Sequence, residues 1–358
     1  MVQSQSPRLA DSSLLQNHRA YQRSIARTRG GRIRGLATRK ARAAADWRPH
    51  LHPVRQKLIN LAAAGQLDLP FPGQGHTAER HSGLYALGRI DLSLARLAEA
   101  HTDALAIFSE AGRVGAPGML YGVWAADGPG SRLELQGQGS GSLRLSGAKR
   151  YCSGAPLLDA ALVTAHQGND VYLVDVSLSG SKLEIDAGDW AAAAFRDTAT
   201  ATVTFKEVIV RESDVLGGPN WYLQRPGFWH GALGPAACWA GGAAGLVDAA
   251  RELNRRDPHT KAQLGALEAA EWGLRALLRQ AGDEVDTDPH DTQRQARRRA
   301  LMARHLIERL CTDTLDRFGR ATGPQLLAFD ARVAQRYAEL TLYIRQCHAE
   351  RDLASIPP

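Results

Sequence analysis

Three stretches of different hydrophobic period follow one another along the chain, and their order limits the fold more than any single motif. From about Trp47 to Ala116 apolar residues recur every three or four positions. Leu84, Leu87, Ile90, Leu94 and Leu97 have the spacing of one helix face. Ala104, Leu105 and Phe108 continue it before Gly115 and Pro117 close the segment. From Met119 to Leu216 the runs become short and β-like: Leu133/Leu135, Leu143/Leu145, Ala161–Val163 and Val171–Val174, separated by Gly, Asp and Ser clusters. Thr198–Val210 alternates polar and apolar residues as a half-buried strand does. From Phe228 the helical period returns, and helices are predicted over roughly 231–255, 259–282, 290–318 and 325–353. Gly241 and Gly245, with Ala236, Ala237, Ala243 and Ala244, give the first of these a small-residue face that another backbone can approach closely. The pattern predicts an α+β fold in four segments: a basic, disordered extension (1–45), an N-terminal helical domain (46–118), a middle β-sandwich or barrel (119–217) and a C-terminal four-helix bundle (225–358).

Charge decides whether nucleic acid is an expected partner. The net charge is +7, but residues 1–50 hold eleven Lys and Arg against two Asp, which leaves −2 for everything after them. The basicity therefore belongs to a leading segment, a solvated extension or the product of a start site set too early, and a basic groove on the body is not expected. That segment lacks the apolar run of a secretory signal. Gly231–Val247 is uncharged but broken by Pro235 and rich in Gly and Ala, so it reads as a buried helix and not as a membrane span. Cys152, Cys238, Cys311 and Cys347 have no CxxC spacing, which suits a reducing cytoplasm and excludes a zinc or disulfide framework.

Most short motifs carry nothing. His348-Ala-Glu350 mimics the HxE of zinc deaminases without a PCxxC partner, and His101-Thr-Asp103 has no third ligand, so His101 reads as a satisfied helix histidine. No GxGxxG follows a strand, and no Walker loop or GxSxG elbow occurs. Arg294, Arg297, Arg298, Arg299 and Arg304 read as a solvated helix face, and no metal site is expected.

Four phrases in fixed order narrow the fold. Gly147-Ala-Lys-Arg-Tyr-Cys-Ser-Gly-Ala155, followed by Asp159 and the run Ala161–Ala165, resembles the phrase G-x-K-x-W-I-T-N-G of the acyl-CoA dehydrogenase family. Phe195–Val208, running to Leu216-Gly217, is similar to the strand pair that ends that family's middle domain. Tyr121-Gly-Val-Trp124 falls where its first middle-domain strand lies, and Arg317-Phe-Gly319 is similar to its glutamine-phenylalanine-glycine turn. Together they cover about residues 80–353. The resemblance implies FAD wedged between a middle β domain and a C-terminal bundle, in a homodimer or homotetramer acting on a small molecule such as an acyl-CoA. Ser153 matches the family's threonine, with a hydroxyl and a backbone N–H for the flavin's polar edge. Tyr151 matches its tryptophan, Trp124 replaces a hydroxyl residue with a stacking or gap-filling ring, and Thr200 lies in the second phrase. For the phosphate and adenine end, the resemblance implies Arg255 or Arg256, and Phe318 with Gly319. The bland readings are core aromatics, an ordinary turn and a charged helix end.

The family's catalytic base is a glutamate in a tyrosine-glutamate-glycine phrase between its last two helices. Here that region reads Tyr343-Ile-Arg-Gln-Cys-His-Ala-Glu-Arg-Asp352, and the phrase is absent. His348 and Glu350 are the nearest groups able to take the proton. A histidine there also fits the flavin-dependent monooxygenases built on the same scaffold, and the plain alternative is a solvated helix end with i,i+4 pairs. With the chain ending at Pro358, the family's final helix is expected to be missing or cut short. Three functions stay open: FAD-dependent dehydrogenation of an acyl-CoA or related activated acid, flavin-dependent monooxygenation, and a binding scaffold that has lost its flavin.

Overall fold

The computed structural model describes residues 51–255 and 257–356. The predicted basic extension, Arg256 and the last two residues lie outside them. Three helices come first: α1 Pro53–Ala63, α2 Thr77–Ile90 and α3 Leu92–Glu110. The apolar run from Leu84 to Leu97 is not one helix face. Asp91 leaves the helical backbone, and its side chain accepts from the Leu94 N–H as the cap of α3. Ile90, at the end of α2, is 67% exposed. α3 is buried on nearly all sides, and Glu99 is buried with its apolar residues.

Eight strands follow: β1 Tyr121–Trp124, β2 Leu133–Gly139, β3 Ser142–Cys152, β4 Ala160–Gln167, β5 Asp170–Ser177, β6 Leu183–Asp186, β7 Ala201–Arg211 and β8 Val215–Leu216. They form one mixed sheet in the order β6-β7-β3-β2-β4-β5-β8, with β1 pairing parallel to β4. Hydrogen bonding links all eight strands into one connected sheet. Leu133, Leu145, Val163, Val174, Val203 and Phe205 form its core. Two register shifts interrupt the β3–β7 ladder, after Leu145 and after Lys149. At the first, Gly147 has φ +125° and a Cβ would sit 2.2 Å from the Arg132 carbonyl oxygen, so only glycine fits. The second re-aims Tyr151, with consequences for the site.

The C-terminal helices are α4 Trp221–Gln224, α5 Pro226–Gly231, α6 Leu233–Arg251, α7 Pro258–Thr287, α8 Ala296–Thr322, α9 Pro324–Phe329, α10 Ala331–Tyr343 and α11 Glu350–Ala354. The first three predicted long helices are present with shifted ends: the first is shorter, the second longer at both ends, and the third starts and stops later. The fourth, 325–353, is broken: Asp330 caps α10 with its side chain, and Cys347 leaves the helical path before α11. α6 crosses α2 on its small-residue face, where a Cβ on Gly241 would lie 2.1 Å from the Tyr85 carbonyl oxygen. The main core, with Leu84, Leu97, Trp239, Leu274, Ile307 and Phe318, joins both helical segments. The described residues pack as one unit. Among them no helix is long and apolar enough to cross a membrane, no three His, Cys, Asp or Glu side chains group as metal ligands, and all four cysteines are buried free thiols.

Candidate active site

A cleft of about 890 Å³ opens where α3, the ends of β1 and β3, the 190–200 loop, α5, α8 and the last helical turns converge. That volume suits a small-molecule or cofactor site. Of the nine site residues read from the sequence, five line it: Trp124, Tyr151, Ser153, Thr200 and His348.

The sheet supplies one wall. Past the second register shift Tyr151 takes a left-handed backbone, φ +59°, which a bulky residue adopts only when its surroundings enforce it. Its side chain is left 52% exposed at the cleft. Phe195 and Ala199 share that conformation at φ +59° and +44°. Three such residues around one cleft mark a backbone shaped for something other than stability. Behind Phe195 the buried Glu339 carboxylate accepts from the Phe195 N–H, the Ser93 hydroxyl and the Gln335 amide. The Thr198 hydroxyl donates to the Phe195 carbonyl and lies 2.8 Å from that of Thr200, which reaches Ser153 Oγ at 3.3 Å. Ser153 ends this hydroxyl chain at the cleft. Its backbone N–H is already given to the Tyr151 carbonyl at 2.9 Å, so the hydroxyl alone remains for a ligand. Trp124 is 3% exposed and donates its ring N–H to the Ser153 carbonyl, so it fills the wall and offers no broad stacking face.

The helices supply the other wall. His348 sits between α10 and α11 with Nδ1 3.4 Å from Asp352 Oδ1, and both residues line the cleft. Glu350, three positions into the same phrase from Cys347, is exposed and does not line the cleft. α3 contributes Arg96, Glu99 and Asp103 at i, i+3 and i+7, one stripe facing inward. Burial pushes the Glu99 carboxyl well above the ordinary carboxylate range; Arg96, at 3.2 Å, opposes the shift and Asp103 reinforces it. Sequence reading does not single out Arg96 or Glu99, although charge on the inner face of an apolar helix is a visible signal. It also counts Arg304 into a solvated face. In the structure Arg304 lines the cleft, and of its neighbours Arg297 lies over the Trp229 ring and Arg299 pairs with Glu284.

The remaining candidates lie elsewhere. Phe318 has no exposed surface and packs in the main core beside Tyr337, so it cannot face a cofactor. Gly319 follows it within α8, and Arg255 is an exposed residue 3.7 Å from Asp257; neither lines the cleft. His101 is a satisfied core histidine: buried and with a lowered pKa, it accepts the Tyr121 N–H on Nδ1.

No protein-family profile matches the chain. Over 194 residues it is 28% identical to a dibenzothiophene monooxygenase of Rhodococcus erythropolis, an alignment covering 46% of each protein. The chain thus spans about half the length of that curated relative. In fold it is similar to a nitrososynthase from Micromonospora carbonacea var. africana (TM-score 0.71, 19% identity, 90% of this chain and 93% of that one). A methanesulfinate monooxygenase from Pseudomonas fluorescens superposes at TM-score 0.66 with 18% identity, covering 85% and 93%. The FMN-bound dibenzothiophene monooxygenase of Paenibacillus sp. A11-2 does so at 0.65 with 16% identity, covering 85% and 94%. Residues 51–356 therefore share the acyl-CoA dehydrogenase-like α+β fold of these enzymes.

Proposed function

We propose that the protein is a flavin-dependent monooxygenase acting on a small molecule, with reduced flavin delivered by a separate reductase. The observation that carries this is a histidine–aspartate pair, His348 and Asp352, in the cleft that also holds the Ser153 hydroxyl. Alpha-proton removal from a thioester needs a carboxylate aimed at the substrate. In the corresponding turn Asp352 instead accepts the His348 N–H and faces its ring. The names of the fold neighbours support the oxygenase over the acyl-CoA dehydrogenase, and FMN over FAD as the flavin.

The residues present fit a flavin. Ser153 would offer its hydroxyl to the flavin's polar edge with Thr200 and Thr198 in support, Tyr151 would meet the ring, and Trp124 and Phe195 would keep water from the wall behind it. When bound and reduced, such a group supplies the electrons and the dioxygen-capturing carbon that put one oxygen atom on the substrate and release the other as water. The chain's own work is orientation and proton control. His348, held by Asp352, takes or returns a proton at Nε2, and Glu99 is a second proton-holding group on the α3 wall. Assembly as a homodimer or homotetramer belongs to the same proposal, tested by light scattering.

Titration with FMN and FAD under anaerobic conditions, followed by photoreduction and admission of oxygen, tests the reading. Oxygen consumption that depends on bound, externally reduced flavin is expected. His348→Ala should lower substrate oxygenation by about a hundredfold while leaving flavin affinity unchanged. Bleaching of the oxidised flavin by an acyl-CoA alone would restore the dehydrogenase reading. A protein that takes up neither flavin would be a binding module.

A further inference from the structure

At the inner end of the cleft two guanidinium groups converge on one aromatic pair. The Arg96 Cζ lies 5.7 Å from the Tyr343 ring centroid and the Arg304 Cζ 4.7 Å from that of Trp239. The two rings meet edge to face with centroids 6.0 Å apart. Arg96 comes from α3 and Arg304 from α8, so the fold brings them together from segments some two hundred positions apart in sequence.

The two guanidiniums have different partners. Arg96 pairs with Glu99 at 3.2 Å. Arg304 gives its hydrogen bonds to two backbone carbonyls, Ala232 at 2.5 Å and Gln346 at 3.0 Å, and has no carboxylate within 4.0 Å among the described residues. Behind them the fully buried Arg80 is satisfied by the Pro70 carbonyl and the Thr102 hydroxyl. Glu99, Asp103 and Asp352 are the carboxylates whose charge reaches these three guanidiniums; Asp352 already accepts the His348 N–H, and Arg304 has no carboxylate of its own. A desolvated cation is costly unless an anion meets it, and the Trp239 face compensates only part of that cost. Arg304 is also pre-set: two carbonyls fix its plane, and the remaining N–H groups of its five-donor fork are open to a planar oxyanion. Tyr343 adds a buried phenol oxygen with no hydrogen-bond partner among the described residues. Trp190, Phe195, Phe228 and Trp229 line the approach.

We infer that this inner pocket binds the anionic head of the substrate, so that the substrate class is an organic monoanion with an aromatic or similarly flat apolar body. The carboxylate or comparable oxyanion lies between Arg96 and Arg304 with the Tyr343 O–H donating to it, and the body extends past the aromatic lining toward the Ser153 wall. Arg304 is a specificity-determining residue in this arrangement. The assignment of the ligand as substrate rests on the oxygenase reading; the anion pocket itself does not.

The other anion that such a cleft could receive is a flavin phosphate, and the experiment separates the two. Binding of benzoate, benzenesulfonate and the neutral isostere benzamide is measured on the flavin-free full chain by calorimetry and tryptophan fluorescence. FMN and phosphate-free riboflavin are titrated in parallel, on wild type, Arg304→Gln and Arg304→Lys. Wild type should bind benzoate about tenfold or more tightly than benzamide. Arg304→Gln should remove that preference, Arg304→Lys should keep part of it, and neither should alter FMN affinity. The benzoate–benzamide comparison needs no variant, so a substitution that unfolds the protein does not spare the inference. Equal binding of benzoate and benzamide, or binding of neither at millimolar concentration, overturns it. Loss of FMN but not riboflavin affinity in Arg304→Gln gives the pocket to the flavin phosphate and overturns the substrate assignment. Failure of all flavin binding with benzoate selectivity intact overturns the oxygenase reading and leaves the anion pocket standing.

Discussion

Ser153 is where single-residue chemistry is sharpest. Its N–H is committed to Tyr151, and its hydroxyl ends the Thr198–Thr200 chain at the cleft. Ser153→Ala removes that hydroxyl from the cleft and with it the outer partner of Thr200. Flavin dissociation constants should rise about fivefold to tenfold, the equivalent of one net hydrogen bond. Fluorescence titration with FMN measures it, and an unchanged constant would take Ser153 out of the flavin site. The nature of this residue was legible from the G-x-K phrase. That its backbone N–H is spent was not, because a two-residue backbone contact after a register shift leaves no trace in residue type.

Among the elements, the α2–α6 crossing depends on absent side chains. Gly241 and Gly88 face each other's helices so closely that an added Cβ would meet Tyr85 O at 2.1 Å or Cys238 O at 2.4 Å. Gly241→Ala should destabilise the fold by about 2 to 3 kcal/mol, because two helix backbones must separate to admit one methyl group. Thermal denaturation reads it, and an undiminished melting temperature would show that the crossing relaxes freely. This close approach was visible in the run of Gly and Ala. The fate of the last predicted helix was not: periodicity continued through 325–353, while Asp330 capping and the turn at Cys347 cut it into pieces. That break places His348 on the cleft and leaves Glu350 off its lining.

For the whole molecule, acid sensitivity follows from buried titratable groups. His81 is 1% exposed, donates its Nδ1–H to the Leu278 carbonyl at 2.9 Å, and is pushed down to about 4, chiefly by burial. Between about 6.5 and 4 the unfolded chain takes up a proton that the folded chain refuses, so folding stability falls as pH falls, by up to about 3 kcal/mol across the window. Asp175, raised to about 6 mainly by burial, acts in the opposite direction, its contribution fading as pH rises toward 6. The difference between wild type and His81→Gln in denaturant unfolding across pH 4 to 7 isolates the histidine. The variant should show the shallower acid slope, and parallel slopes would contradict the assignment.

By itself the sequence determined the order of helices, strands and helices, because hydrophobic period follows the geometry of each element locally. It also marked Trp124, Tyr151, Ser153 and Thr200, since their phrases are local in the chain. Only the tertiary structure decided which charged residues share the cleft. Arg96 and Glu99 look like ordinary helix residues, and Arg304 like one more arginine in a basic run. Their environment is set by segments far away in sequence, and burial, not residue type, turns a solvated guanidinium into a site that calls for an anion.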